Sequence, residues 1–377
     1  MTVTTQTQTG TVLRVRGGAL LDALAALRPF VAAGRTAADH ACGVQLVADA
    51  QVCEVRCSTG EVSARAPFEA DVDQPVAVWV RLADLWSAAS AYSARRGKKS
   101  QEPLTVTVGD ERVIVAAENG QTGVRVLDAD VAVPAMPEIP GTLVVDRERF
   151  AHDCRVAKEC ASDDQMIPIL TAARISDGVI HATDRYRLAH LEIRGTGSLP
   201  QTQPPAATLA KALAATSGQT VSLGADGEHL SIHADNLTAT LRCVPGEYPK
   251  VTRVIAQDGS VQVTTDRAAL LEAVKPHAAA GVLVALVMRG RDLAVEILTS
   301  TDDEPVATAT LTPAAETEAT LGDTPLFMDS RYLTAALKAL VDEQVHLSTP
   351  GTLRPVRFES PTDPDRVVIV QPIRRAL

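Results

Sequence analysis

Three times along this chain, hydrophobic residues alternate over a short stretch and then shift to helical spacing. In the first stretch Val12, Leu13 and Val15 supply the strand positions. Leu20, Leu24, Leu27 and Val31 then recur at i, i+4, i+7 and i+11, one face of a helix that Pro29 should close. The shift falls at Arg16-Gly17-Gly18-Ala19-Leu20-Leu21, again at Asp146-Arg147-Glu148-Arg149-Phe150, and again at Asp266-Arg267-Ala268-Ala269-Leu270-Leu271. Leu20, Phe150 and Leu270 occupy equivalent places, 130 and 120 residues apart. A second helix follows each first one, anchored by Leu82, Leu209 and Leu333 at 62, 59 and 63 residues further on. Three similar units in one chain predict a tandem array.

Each unit reads as strand, helix, several strands, helix, hairpin. The second helix of the first unit should bury Leu82, Leu85, Trp86 and Ala89. After it Leu104 to Val108 alternates, turns at Gly109-Asp110 and returns through Val113-Ile114-Val115. In the second unit Phe150, Cys154 and Ala157 mark the first helix and Leu209 and Leu213 the second, with a hairpin turn near Gly224-Ala225-Asp226-Gly227. The third places Leu333, Ala336, Leu337 and Leu340 on its second helix and turns its hairpin at Pro350-Gly351. Helices on one face of mostly antiparallel strands make each unit α+β. The proline-rich stretch Pro134 to Pro140 and the segment Ile255 to Gly259 read as joints, giving domains 1–139, 140–257 and 258–377.

At 377 residues and 46% hydrophobic, the chain is long enough for several cores and too apolar for disorder. The start lacks a basic and apolar leader, and no 18-residue apolar run follows, so a cytoplasmic location is expected, with no membrane partner. Cys42, Cys53, Cys57, Cys154, Cys160 and Cys243 lack metal-site spacing and read as reduced thiols, with Cys53 and Cys57 on one face of a strand. No metal or cofactor is expected. The net charge of −10, from 46 acidic and 36 basic residues, is unlike an ordinary DNA-binding domain. It is an average, however, and leaves room for an acidic exterior with a basic lining. His152-Asp153 with Ser162, and Asp163-Asp164, are the only catalytic candidates. Adjacent helical side chains diverge, and the nucleotide, zinc and serine-hydrolase motifs are absent, so an enzyme of unknown chemistry is a distant alternative.

Four motifs then become specific. His181-Ala182-Thr183-Asp184-Arg185-Tyr186-Arg187-Leu188-Ala189 resembles the "ATDGHRLA" signature of the bacterial DNA polymerase III beta subunit, the DNA sliding clamp family. Gly246-Glu247-Tyr248-Pro249-Lys250-Val251 is similar to its "G-x-F-P-D-Y", Phe327 to Leu333 to its "F-N-x-x-Y-L", and Val368 to Arg374 to its terminal "V-V-M-P-M-R-L". The matches keep the family's order over essentially the whole chain.

The resemblance implies a head-to-tail homodimer of three-domain chains, with helices lining a hole and antiparallel sheets outside. It implies no catalytic site. Such a ring encircles double-stranded DNA without reading sequence, and tethers the DNA polymerase III alpha subunit, the clamp loader and other replication or repair proteins. They dock a short apolar peptide between domains two and three. Carried over residue by residue, Leu170, Thr183, Leu188, Pro249, Val254, Ile369 and Ile373 would wall that groove. Pro372 would shape its terminal strand, and Arg187, Arg253 and Arg374 would flank it as donors. A sliding lining needs scattered cations rather than a rigid grip. The candidates are Arg28, Arg35, Arg95, Arg96, Lys98, Lys99, Arg155, Lys158, Lys211, Lys275 and Lys338. The dimer interface is expected to join an edge strand near Val124 and Val126 to a helix around Ala273 and Val274.

The chain also departs from the pattern. Arg185 and Tyr186 stand where the signature has a glycine and a histidine, and Lys250-Val251 replaces an acidic-aromatic pair. Arg375 takes the usual terminal leucine position, with Ala376 and Leu377 beyond it. These changes bear on partner choice and leave open a divergent paralogue serving repair, resistance or a mobile element.

Overall fold

The computed structural model describes residues 10–32, 38–128, 134–255, 261–289, 292–299, 304–312 and 325–374. Arg35, most of the second joint and the residues from Arg375 onward lie outside them. The helices are α1 (Gly17–Leu27), α2 (Asp39–Cys42), α3 (Leu82–Tyr92), α4 (Arg147–Cys160), α5 (Ala206–Ala215), α6 (Thr252–Ile255), α7 (Arg267–Val274) and α8 (Ser330–Ala339). The strand-to-helix shift read from the hydrophobic pattern is present three times, at Thr11–Arg16 into α1, Leu143–Asp146 into α4 and Val261–Asp266 into α7.

By compactness the chain forms two units. The first gathers the described parts of Met1–Glu148, Gly195–Gly197 and Lys211–Cys243; the second gathers those of Arg149–Arg194, Ser198–Ala210 and Val244–Leu377. Each unit therefore holds part of the middle of the sequence.

The first unit is built on a 14-stranded antiparallel sheet. Its seam joins strands far apart in sequence, Val62–Pro67 and Leu237–Arg242, with Leu241 opposite Val62 and Thr238 opposite Arg65. Leu20, Leu24 and Leu27 of α1 are buried with Leu85 and Ala89 of α3. The helix starts at Gly17-Gly18 because the chain after α3 passes too close for anything larger. A Cβ at Gly17 would lie 2.2 Å from Ser93 Oγ, and one at Gly18 2.7 Å from Ser100 Cβ. The connector from Pro134 to Gly141 is tied to the sheet, Met136 N–H donating to Ser63 Oγ and Ile139 N–H to Ser231 Oγ.

Two expected helical positions are corrected. α1 stops at Leu27, and a 3-10 turn, Arg28–Phe30, leaves Val31 extended at φ −112°. Pro29 has no N–H to continue the helical ladder, and Phe30 fills the core in place of Val31. On α3 the fourth core position is Ala88, while Trp86 is half-buried beneath the Arg28 guanidinium, 4.9 Å from the ring centre.

The second unit holds a seven-stranded sheet and a four-stranded one. In the larger, the strands run in the order Arg174–Ser176, Val179–Thr183, Arg187–Glu192, Asp363–Val370, Val356–Ser360, Gln344–Thr349 and Val261–Asp266. Its seam pairs Arg187–Leu191 with Arg366–Val370. Asp266 and Asp329 cap α7 and α8, accepting the N–H groups of Ala269 and Arg331.

Beside the seam lies an ionic network. Arg366 and Asp153 are each 3% exposed in their side chains and 2.6 Å apart, and Asp363 bonds Arg149 at 2.9 Å and Arg194 at 3.0 Å. Burial raises the Asp153 carboxyl above its ordinary range, against the pull of Arg366. Burial also opposes ionisation of Asp363, but bonding to Arg149 and the surrounding arginines holds it below the ordinary value.

None of the six cysteines is in a disulfide; Cys53 is half-buried and the others buried. Burial pushes the Cys57 and Cys160 thiols up to about 12. No described helix is long and apolar enough to cross a membrane.

Candidate functional site

The seam of the seven-stranded sheet creates an apolar surface. Leu188 sits opposite Ile369, so both side chains point to one face, and Val367 joins them two residues along. The segment from Gly246 to α6 folds back over that face and buries Tyr248 and Val251 in the same cluster. Ile169, Val254 and Ile255 pack around it and remain partly exposed. Tyr248 is 6% exposed, and its hydroxyl donates to the His181 carbonyl at 3.3 Å. Burial raises its pKa above the usual phenol range.

His181 and His190 lie on the same face, with Nε2 of the first 2.9 Å from Nδ1 of the second. Burial, reinforced by His190 and Arg174, lowers His181 to about 4. One side of this surface is pinned by backbone bonds. Gln371 N–H donates to Tyr186 O at 2.7 Å and Ile373 N–H to Phe327 O at 2.8 Å. Tyr186 stacks on Tyr332 with ring centres 6.2 Å apart and stays 58% exposed.

The expected groove residues are thus gathered in one unit, with different duties. Leu188, Ile369 and Val254 belong to the apolar cluster; Pro249 and Ile373 are exposed beside it, and Pro372 is buried. Leu170 is buried within the 3-10 turn Pro168–Thr171. Thr183 sits opposite Leu188 and also makes the turn: its hydroxyl donates to Arg187 O at 2.6 Å and accepts the Arg185 N–H at 3.0 Å. Arg187 is no free donor either. Its guanidinium is paired with Asp184 at 2.8 Å and lies 4.5 Å over the Tyr332 ring. Arg253 and Arg374 are exposed, with no ion pair recorded among the described residues.

Tyr248, Val251, Ile169 and Tyr332 were missed as site residues by sequence reading. Tyr248, Val251 and Tyr332 stand inside the quoted motifs, where their apolar character was the available signal.

The tight turn between Thr183 and Arg187 explains the signature's glycine. Asp184 accepts the N–H groups of both Tyr186 and Arg187, and the residue between must adopt φ +80°. Glycine takes that conformation freely; here Arg185 takes it.

The cationic candidates are dispersed. In the first unit Arg95, Arg96 and Lys211 line one concavity of about 640 Å³ with Asp22, Ala26 and Pro29. Arg95 is already paired with Asp22 at 2.7 Å. Lys98 and Lys99 are exposed in the 3-10 turn after α3, and Arg28 is exposed beside Trp86. In the second unit Arg155, Lys158, Lys275 and Lys338 are exposed, Lys158 bonding Glu159 at 3.0 Å.

The residues expected near the dimer interface differ in exposure. Val124 and Val274 are buried in their own units, at 3% and 0% exposure, so their side chains are not free to face another copy. Val274 follows Leu270 by four residues and shares its inward helix face. Val126 is half-buried and pairs with Val80, while Ala273 is half-buried. The strand carrying Val124 therefore has a second neighbour at Val126 and Leu127, and a free edge only before them.

The catalytic candidates are occupied. His152 Nε2 is 2.8 Å from Ala339 O, Asp153 holds Arg366, and Ser162 Oγ accepts the Asp164 N–H. Among the described residues no group of three His, Cys, Asp or Glu could hold a metal ion.

No protein-family model matches the chain. It is similar to the beta sliding clamp of Micrococcus luteus, with 30% identity over 243 residues, covering 61% of this chain and 76% of that one. The sliding clamp of Bacillus subtilis superimposes at a TM-score of 0.83 and 16% identity, covering 98% of this chain and all of that one. The beta subunit of the Streptococcus pyogenes DNA polymerase gives 0.84 and 15%, over 96% of this chain and all of the other. The structural likeness reports the fold, and the sequence identity to the Micrococcus protein reports descent. Together with the four motifs and the seam-built apolar face, they show that the chain belongs to the bacterial DNA polymerase III beta-subunit family, the DNA sliding clamps.

Proposed function

We propose that two copies of this chain close head to tail into a ring around duplex DNA. Its three domains would span 1–139, 140–257 and 258–377. The ring holds the DNA polymerase III alpha subunit, the clamp loader and other clamp-binding proteins on the template through the apolar face at Leu188 and Ile369. It works in the cytoplasm, with the nucleoid during replication, and catalyses nothing itself. The observation that carries this reading is the partly exposed apolar cluster, from Ile169, Val254 and Ile255 to Pro249 and Ile373, on a sheet whose seam fixes its shape. A short peptide with apolar anchors fits such a surface.

Sheet edges are the natural means of closure. Ala307–Leu311 ends the four-stranded sheet, and the early part of Gly120–Leu127 has pairing on one side only. Antiparallel addition of one to the other in a second copy would satisfy both edges. Exposed cations such as Arg96, Lys98, Lys99 and Lys211 supply a screened, sequence-independent attraction to phosphates, and threading supplies the retention.

A plasmid-retention assay with a clamp loader tests the ring. Retention on circular DNA and release on linearisation is the expected result; retention independent of topology refutes it. For the docking face, binding of a labelled apolar peptide should be lost in Leu188→Asp and on deletion of 372–377. Unchanged affinity removes those residues from the site. The departures at Arg185, Tyr186 and Lys250 support a second reading of the same fold, a divergent paralogue serving a narrower set of partners.

A further inference from the structure

We infer that the docking face selects apolar peptides that carry acidic residues, and that Arg185 sets this preference. The inference rests on the docking role proposed above and names the chemistry of its partner. It starts from backbone strain. A non-glycine residue at φ +80° is disfavoured, and an arginine gains nothing locally by occupying that place. The turn is imposed from outside Arg185, because Thr183 and Asp184 accept three of its N–H groups and Gln371 bonds Tyr186 O. Strain held by its surroundings in an exposed turn beside a binding surface points to use of the side chain.

Charge supplies an independent observation. The chain has a net charge of −10, yet the edge formed by this turn and the terminal segment is cationic. Asp184 is spent on Arg187, leaving Arg185 exposed next to Tyr186 in the chain and Arg374 exposed next to Ile373. Lys250 and Arg253 add two more exposed cations on the segment that carries Val251 and Val254. None of the four has an ion pair recorded among the described residues. Of the exposed acids near the face, Asp163 and Asp164 lie on another segment and Glu247 shares the segment of Lys250 and Arg253; no exposed acid lies on the Tyr186 turn or among the described terminal residues after Val370. A peptide laying apolar side chains on the cluster would therefore meet cations where it passes Tyr186. A carboxylate there is favoured and a lysine repelled.

The test uses the full chain and three labelled nonapeptides with the same leucine and phenylalanine anchors, flanked by two Asp, two Asn or two Lys. Binding is read by fluorescence anisotropy at 50 and 500 mM NaCl. At low salt the Asp peptide should bind about tenfold more tightly than the Asn peptide, and the Lys peptide more weakly than either. At high salt the differences should collapse. Arg185→Gly suits the backbone and should still fold; it should cut the Asp-over-Asn ratio about threefold, and Arg185→Glu should take it below its value in Arg185→Gly. Equal binding of the Asp and Asn peptides, or a ratio unchanged in Arg185→Gly, overturns the inference and leaves the docking face standing. Failure of all three peptides to bind removes the docking face as well.

Discussion

The proposed docking face and the cationic concavity are built in opposite ways. Leu188, Tyr248 and Ile369 are nearly buried, held by strand pairing on one side and a folded-back segment on the other. A partner would meet only the rim of a finished core. Arg95 and Arg96 sit in the bend after α3 and Lys211 on α5, all three exposed, and Arg95 is paired with Asp22. A site that must hold one peptide benefits from a fixed shape. A surface that must let a polymer pass benefits from having no preferred position, and long flexible side chains give that. Under the proposed function, the contrast teaches that rigidity, rather than charge, would separate gripping from sliding.

Four experiments bear on that contrast. The largest effect is expected at the foot of the docking face. Arg366→Ala leaves Asp153 buried without its close partner, while Asp363 keeps Arg149 and Arg194, and should cost about 3–5 kcal/mol in urea unfolding. A loss under about 1 kcal/mol would mean that the ionic network does not brace the seam.

Next comes pH. His181 titrates at its ordinary 6.5 when unfolded and at about 4 when folded. Between those values the unfolded chain binds more protons, so stability should fall as pH drops from 6.5 to 4 and be insensitive to this group above 6.5. His181→Gln should flatten that part of the curve, as read from urea midpoints. An identical slope in the variant would locate the titration elsewhere.

Arg185→Gly should then stabilise the fold by about 0.5–1 kcal/mol, because relief of the left-handed strain exceeds glycine's extra unfolded-state entropy. A lower melting temperature would show that the arginine side chain contributes to folding. Smallest of all, Lys211→Ala should move stability by no more than about 0.5 kcal/mol, since exposed cations on the concavity brace nothing. A large loss would place Lys211 among structural residues and end the comparison.

Much of this was legible in one sequence. The three strand-to-helix shifts, the hairpins at Gly109 and Pro350, and the core residues Leu20, Phe150 and Leu270 follow from periodicity, which local burial enforces. The strand seams do not. Nothing in the pattern says that Thr238–Leu241 will pair with Val62–Arg65, because strand neighbours are chosen by the whole fold. The same limit shaped the site reading. Motifs brought Leu188, Pro249 and Ile369 to one place, but the spent donors of Thr183 and Arg187 depend on a turn whose bonds are invisible in sequence. The burial of Val124 and Val274 was illegible for a related reason. A hydrophobic residue in an edge strand or a helix reads the same whether it faces a partner or its own core.

The pairing of Leu188 with Ile369 has a last implication, for synthesis. Some 180 residues of chain separate the two halves of the docking face, so a ribosome still translating that interval holds a protein with half a site. Under the proposed docking role, recruitment would wait until the strand carrying Ile369 has been made.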